Sequence, residues 1–202
     1  MRHDAARSPR GREILHPGPD GGDACAGRIP GNRERPVHGG QRALSGRSPS
    51  RRLSILQRLR PAPFRHERLR TLVRKALARV PHDAADLRVL VVDDADMTEW
   101  NRRFLDRPWT TNVLSFPDEE PQGGGPAMLY GDILISAPTC LRQTRGWKGS
   151  PEERVLFFIV HGMLHLAGYD HERGGAEARR MRRAERDVYR FALGAPPGRS
   201  RR

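Results

Sequence analysis

Three histidines lie close together in one short, mostly apolar stretch of the chain. Residues 161–171 read HGMLHLAGYDH and hold three of the eight histidines of the sequence, His161, His165 and His171. Because His161 and His165 are four residues apart, a helix would place both imidazoles on one face, one turn apart. Gly168 favours a helix end, and the turn after it can bring His171 back to the same place. Three imidazoles with a fourth position open are the ligand set of a catalytic zinc.

A buried histidine is more often an ordinary core residue than a metal ligand, so hydrogen-bonded core histidines are the alternative to a metal site. Each unpaired buried imidazole would cost about 1–3 kcal/mol, and one metal ion satisfies several imidazoles at once. We therefore predict one zinc per chain at His161, His165 and His171, although nickel, copper or another first-row ion also suits these ligands. Asp170 is a candidate for orienting a ligand or accepting a proton, and an Asp at such a place can equally cap a turn.

The sequence around the histidines predicts the elements that must position them. Ser150-Pro151-Glu152-Glu153 is a strong helix start, with Ser as N-cap, Pro at the first helical position and Glu three residues after the cap. Periodicity predicts further helices and strands. The helices are 64–80, 97–105 with capping by residues 94–96, 137–146 and 176–191; the strands are 86–93, 111–116 and 128–136, the last two as a hairpin. Helices flanking a small mixed sheet predict a single α+β domain with a zincin-like metal helix.

Composition divides the chain into three parts. Residues 1–60 are rich in Arg, Gly, Pro and Ser without periodicity, which predicts a disordered extension. Residues 61–193 form the predicted folded domain, and residues 194–202 read as a disordered basic tail. The formal net charge of +13 is concentrated outside the middle of the chain, with +8 in residues 1–60, −1 in residues 61–170 and +6 in residues 171–202.

The basic ends of the chain would favour binding of RNA or another polyanion. However, nearly all of the basic residues are Arg. A codon bias of the genome, or a start codon assigned too far upstream, would produce the same excess of Arg without any binding function. The two cysteines, Cys25 and Cys140, indicate no disulfide framework. We find no apolar signal region and no apolar run long enough to cross a membrane. These features predict a cytoplasmic protein without membrane partners.

The spacing H-x-x-x-H-x-x-G-x-x-H also matches that of metzincin proteases, which use a Glu directly after the first His as the general base. Gly162 occupies that position here. A peptidase of this type would lack its proton acceptor, and the sequence therefore argues against proteolysis.

Three blocks in register indicate a different family. HGMLHLAGYDH resembles the H-G-x-L-H-L-x-G-x-D-H signature of the YbeY family, bacterial endoribonucleases that act in ribosomal RNA maturation. Residues 111–117, TNVLSFP, resemble the family's T-D/N-V-L-S-F-P, and residues 131–136, GDILIS, resemble its G-D-I-x-I-S. The resemblance covers about residues 65–191.

The resemblance implies a zinc-dependent endoribonuclease with one zinc on His161, His165 and His171. It also implies a single-stranded RNA substrate near the 3′ end of the small-subunit rRNA, a role in ribosome quality control, and the small ribosomal subunit as a partner.

One position departs from the family pattern. Many members have an Arg directly after the aromatic residue that precedes the second block, whereas here Leu105 follows Phe104. Arg102, on the same helical face as Leu105, and Arg107 are candidate substitutes, with solvated surface arginines as the alternative. The departure keeps a second hypothesis open, a ribosome-assembly factor with a structural zinc and weak or no catalysis.

Overall fold

The structure, a computed structural model, describes residues 24–25, 51–82, 84–117, 128–171 and 174–195. The strands are β1 (Ala24–Cys25), β2 (Arg51–Gln57), β3 (Ala84–Val92), β4 (Val113–Pro117) and β5 (Met128–Ser136). The helices are α1 (His66–Leu77), α2 (Asp94–Leu105), α3 (Ala137–Gln143), α4 (Pro151–Leu166) and α5 (Gly175–Ala192). None of these helices is long and apolar enough to span a membrane.

The strands form one mixed sheet in the order β1-β4-β5-β3-β2. Strand β3 runs parallel to both β2 and β5, while β4 pairs antiparallel with the central strand β5 as the predicted hairpin. The two-residue strand β1 pairs with the outer edge of β4. The prediction of a single α+β domain with a mixed sheet is therefore confirmed.

The strand β2 corrects the predicted domain boundary. We had assigned residues 1–60 to a disordered extension, but Arg51–Gln57 pairs with β3 over seven consecutive positions. Leu53 and Ile55 pack against the core, whereas Arg52, Ser54 and Leu56 are exposed. This alternation has the period of two of a strand, but the surrounding arginines obscure it in the sequence. The folded part thus includes Arg51. Apart from Ala24 and Cys25, residues 1–50 lie outside the described residues, as do residues 196–202 of the predicted tail.

The sheet separates two hydrophobic cores, because successive side chains on a strand point to opposite faces. On the first, here called the α4 face, Val89 and Ile133 join residues of α1, α4 and α5 in the large core. On the second, the α2 face, Leu90 and Leu134 join Met97 in a small core with Leu105 packed against it.

Both capping arrangements follow from local chemistry. The predicted start of α4 is confirmed, since the Ser150 hydroxyl accepts from the Glu153 backbone N–H while the Glu153 carboxylate accepts from the Ser150 N–H. Helix α2 begins earlier than predicted, because Asp93 is the N-cap and accepts from the Asp96 backbone N–H. Capping by residues 94–96 was therefore wrong.

Candidate metal centre

The last turns of α4 and the turn that follows bring the three predicted histidines together. The Nε2 atoms of His161 and His165 are 3.0 Å apart. Gly168 has φ +81°, a left-handed conformation that favours glycine, and it turns the chain so that His171 returns to the helix. The ring centroid of His171 lies 5.3 Å from that of His161 and 5.1 Å from that of His165.

A buried carboxylate on α5 orients the first histidine. Glu185 is 3% exposed, and its Oε1 lies 2.8 Å from Nδ1 of His161. Because a carboxylate only accepts, the proton of the imidazole is on Nδ1, which leaves the Nε2 lone pair directed at His165. A carboxylate that accepts from a ligating histidine fixes its tautomer and raises its basicity. Glu185 is therefore placed to hold His161 as a metal ligand.

His165 is held in its neutral form. Burial lowers its pKa to about 3, with further lowering by His161 and His171; a hydrogen bond to the Tyr169 backbone and the charge of Asp170 act in the opposite direction. An imidazole binds a metal only when it is deprotonated. At neutral pH this histidine is thus ready to act as a ligand.

The donor set fits a metal ion. One ligand atom from each of the three histidines lies within 4.8 Å of the others. The nitrogens of a tetrahedral zinc site are about 3.3 Å apart, because each is about 2.0–2.1 Å from the ion. The His161 Nε2 atom, which carries no proton, lies 3.0 Å from His165 Nε2, a separation close to that value, so both nitrogens could bind one ion. The three histidines could hold one metal ion and leave a position for a further ligand.

Gly162, where a metzincin carries its catalytic Glu, faces the sheet. A Cβ atom there would lie 2.8 Å from Ser115 Oγ and 3.1 Å from two carbons of Ile133. A side chain at this position therefore requires Ser115 or Ile133 to move, and a large one does not fit. The absence of a Glu at this position is therefore a packing requirement as well as a chemical departure from the proteases.

The three histidines lie within a segment that matches a known family. The family model described as Endoribonuclease YbeY matches residues 57–192. The chain belongs to the YbeY family.

Curated members of the YbeY family resemble the chain over most of their length. An Endoribonuclease YbeY from Geobacter metallireducens is 38% identical over 141 residues, which cover 68% of this chain and 93% of the relative. One from Aquifex aeolicus is 37% identical over 134 residues, 66% of this chain and 88% of the relative. The solution structure of TM1509 from Thermotoga maritima aligns with a TM-score of 0.49 at 23% identity, over 70% of this chain and 89% of that one.

The two upstream blocks that resemble the YbeY pattern pack beneath the metal helix. Gly131 has φ +149°, and a Cβ atom there would lie 2.3 Å from the backbone oxygen of Phe116 and 3.0 Å from Leu166. Gly131 thus lets β4, β5 and the last turn of α4 approach one another closely. Because His165 directly precedes Leu166, this packing also sets the position of a candidate metal ligand.

The remaining residues that the sequence analysis singled out lie in two places, near the histidines and on the α2 side of the sheet. Asp170 is close enough to His165 to affect its pKa. Arg102 instead binds Glu99 through two hydrogen bonds of 3.0 and 2.7 Å on the exposed side of α2, and none of its contacts with described residues involves the histidines. Leu105 packs against the small core, and Arg107 is exposed in the following loop.

Sequence reasoning missed Glu185, although the chain carried a signal for it. The buried face of α5 is formed by Ala178, Met181, Glu185, Val188, Tyr189 and Ala192. Glu185 is the one acidic residue at these core positions, and a buried carboxylate needs a partner. The sequence could not say which residue that partner is, since His161 is 24 residues away.

Proposed function

We propose that this chain is a zinc-dependent endoribonuclease that hydrolyses phosphodiester bonds in single-stranded RNA. We further propose that it matures the 3′ end of the small-subunit rRNA and contributes to ribosome quality control in the cytoplasm, with the small ribosomal subunit as its partner. Membership of the YbeY family supports the nuclease activity. The observation that carries the zinc dependence is His161 held between Glu185 and His165.

The residues of the site have separable roles. His161, His165 and His171 hold the ion, and Glu185 keeps the proton of His161 on Nδ1 so that Nε2 binds the ion. When bound, zinc supplies Lewis acidity toward a phosphoryl oxygen and activates water near neutral pH. Asp170 is our candidate for accepting a proton, because it is next to His171 in sequence and its charge raises the pKa of His165.

The test is cleavage of a single-stranded RNA by the full-length, zinc-loaded protein, compared with His165→Ala. We expect the variant to lose at least about 100-fold in rate, because removing a residue that only orients a metal ligand already costs about 10–100-fold. His66→Ala, at the start of α1, is the matched control and should cleave like the unsubstituted protein. Equal rates for His165→Ala and His66→Ala would remove the zinc site from the reaction.

The second candidate function is an assembly factor in which the zinc supports the fold and catalysis is weak. It is favoured by Leu105, which packs into the core of the α2 face where many relatives are expected to have an Arg. Leu105→Arg separates the two functions. If the Arg is dispensable in a nuclease, the rate of RNA cleavage should rise little in this variant. A large rise in the cleavage rate would show that the active site of this chain is degraded, as the assembly-factor function requires.

A further inference from the structure

We propose that the outer flank of α5 is a track for the phosphate backbone of single-stranded RNA that leads to the metal centre. The proposal rests on the proposed function, since it assigns the substrate-binding surface of the same site. Its basis is a stripe of five exposed arginines on this helix, which we call the arginine stripe: Arg179, Arg182, Arg183, Arg186 and Arg190.

The helical geometry places the arginine stripe on one flank. At about 100° per residue, its five positions fall within a sector of about 100° that begins beside Glu185. The opposite flank faces the end of α1, where Arg79, just after that helix, binds the Asp187 carboxylate at 2.8 Å and lies 5.8 Å from the Phe191 ring. Arg183 borders this flank, since it lines a cavity with Arg79 and Asp187. The rest of the stripe lies on the flank of α5 that faces away from α1, and Arg182 and Arg186 are close along the helix to Glu185, which orients His161.

Within the described part of the chain, the stripe has no acidic partners: none of its five side chains forms an ion pair or hydrogen bond with a residue that the structure describes. Arg180, which lies outside the stripe, provides the contrast, because it contacts Glu177 at 3.4 Å and lies 4.8 Å over the Tyr169 ring. Five exposed guanidinium groups on one helix face repel one another and favour a polyanion.

The dimensions and the chemistry of the helix favour RNA over a membrane. From Arg179 to Arg190 the helix rises by about 16 Å, which is long enough to contact more than one phosphate of a strand. A helix that binds a lipid surface needs an exposed apolar face. The apolar face of α5 is used in the core, where Met181, Val188 and Ala192 are buried.

The experiment compares two triple variants of the full-length, zinc-loaded protein. Arg179→Gln, Arg182→Gln and Arg186→Gln together remove three of the five positive charges of the stripe. Arg74→Gln, Lys75→Gln and Arg145→Gln remove the same charge from exposed positions on α1 and after α3. Fluorescence anisotropy with a 20-nucleotide 2′-O-methyl RNA, which resists cleavage, gives the dissociation constant at several salt concentrations.

We expect the stripe variant to bind at least about tenfold more weakly than the control variant at low salt. The slope of log affinity against log salt should become shallower by about 2, because each single-strand phosphate contact contributes about 0.7. Cleavage of a trinucleotide, too short to follow the stripe, should be equal in both variants. Equal affinities and slopes would overturn the proposal, as would a stripe variant that loses binding to phosphatidylserine vesicles and keeps its affinity for RNA.

The same data distinguish failure of the track from failure of the nuclease. If the unsubstituted protein cleaves a 20-nucleotide RNA and the two variants bind alike, the track is wrong and the nuclease stands. If the protein binds RNA through the stripe but cleaves neither RNA, the track is supported and the nuclease is wrong.

Discussion

The two faces of the sheet differ in what they do with polar side chains. On the α4 face, a large apolar core surrounds a few polar groups, and these converge on one point, with Glu185 against His161 and His165 beside it. On the α2 face, the apolar core is small, and the polar side chains form ion pairs and hydrogen bonds between neighbouring elements. Arg88 forms a bidentate pair with Asp132, and Asp94 accepts from Ser136, Thr139 and Arg142. The first arrangement leaves ligand positions for an ion, whereas the second connects elements of the fold.

The two faces therefore separate residues that could take part in the reaction from residues that only stabilise the fold. Residues of both faces occur in the blocks that resemble the YbeY pattern. Ile133 and Ile135 lie in the core beneath the metal helix, while Leu134 between them lies on the α2 face. Substitutions on the α4 face should therefore affect metal binding and folding together. Those on the α2 face should affect folding alone.

The largest effect is expected at Gly162. Glu at this position would place a charged side chain where even a Cβ lies 2.8 Å from Ser115 Oγ, so we expect Gly162→Glu to fail to fold. Gly162→Ala should lower the free energy of unfolding by about 1–3 kcal/mol through overpacking. Urea denaturation measures both.

Gly146→Ala is the control for this substitution, because Gly146 has φ +88° and a Cβ there would meet nothing within 4 Å. It should cost only the backbone strain of about 1–2 kcal/mol and leave zinc affinity unchanged. Gly162→Ala with unchanged stability would contradict the close packing of α4 on the sheet.

The next largest effect is expected at Glu185. Glu185→Gln keeps an acceptor near His161 but removes the charge, and we expect zinc affinity to fall about 10–100-fold. Competition with a chromogenic chelator measures this affinity. The matched control is Asp187→Asn on the same helix, whose carboxylate binds Arg79 instead. Equal losses in the two variants would mean that Glu185 acts through the general charge of α5 and not through the histidine.

A smaller effect, on stability alone, is expected at Asp94. Burial raises the pKa of its carboxyl, but hydrogen bonds from Arg142, Ser136 and Thr139 lower it by a larger amount. The net result is a pKa below the usual 3.8. Asp94→Asn should lower the free energy of unfolding by about 1–3 kcal/mol at neutral pH, the cost of removing a charged hydrogen-bond acceptor. Zinc affinity should not change.

The stability that Asp94 contributes should also depend on pH. The unfolded chain takes up a proton at a higher pH than the folded protein does, so this stabilisation is present above pH 3.8 and is lost as the pH falls through the lowered pKa. The difference in urea midpoint between the protein and Asp94→Asn should therefore shrink in that window. A constant difference at all pH values would contradict the assignment.

The smallest effect is expected at Arg102. Because its guanidinium is bound to Glu99 at the surface of α2, Arg102→Gln should change neither stability nor zinc affinity measurably, and the rate of RNA cleavage should stay within about twofold. A loss of more than about tenfold in rate with an unchanged KM would show that the α2 side does supply a residue to the reaction, and the separation of the two faces would fail.

The parts of this molecule that sequence reasoning predicted depend on local signals. The start of α4 was predicted from Ser150, Pro151 and Glu153, and strand β5 was predicted with the bounds that the structure gives. The histidine group was predicted because helical spacing and one glycine turn suffice to bring its members together. These features are set by residues near one another in sequence.

The parts that were missed depend on distant contacts. Strand β2 is recognisable by its pairing with β3, about 34 residues later, while its own composition resembles the arginine-rich sequence before it. The partner of Glu185 is fixed by how α5 packs on α4, which periodicity cannot give. The placement of α2 on the face opposite to α4 likewise follows from the order of strands in the sheet.

The proposed zinc site consists of three imidazoles, one of them oriented by Glu185, with one position of the ion left open. Zinc K-edge X-ray absorption on the full-length protein, loaded with one equivalent of zinc, tests it most directly. We predict three imidazole nitrogens and one oxygen at about 2.0–2.1 Å and no sulfur. A sulfur shell at about 2.3 Å, or a fourth imidazole, would contradict the open three-histidine site.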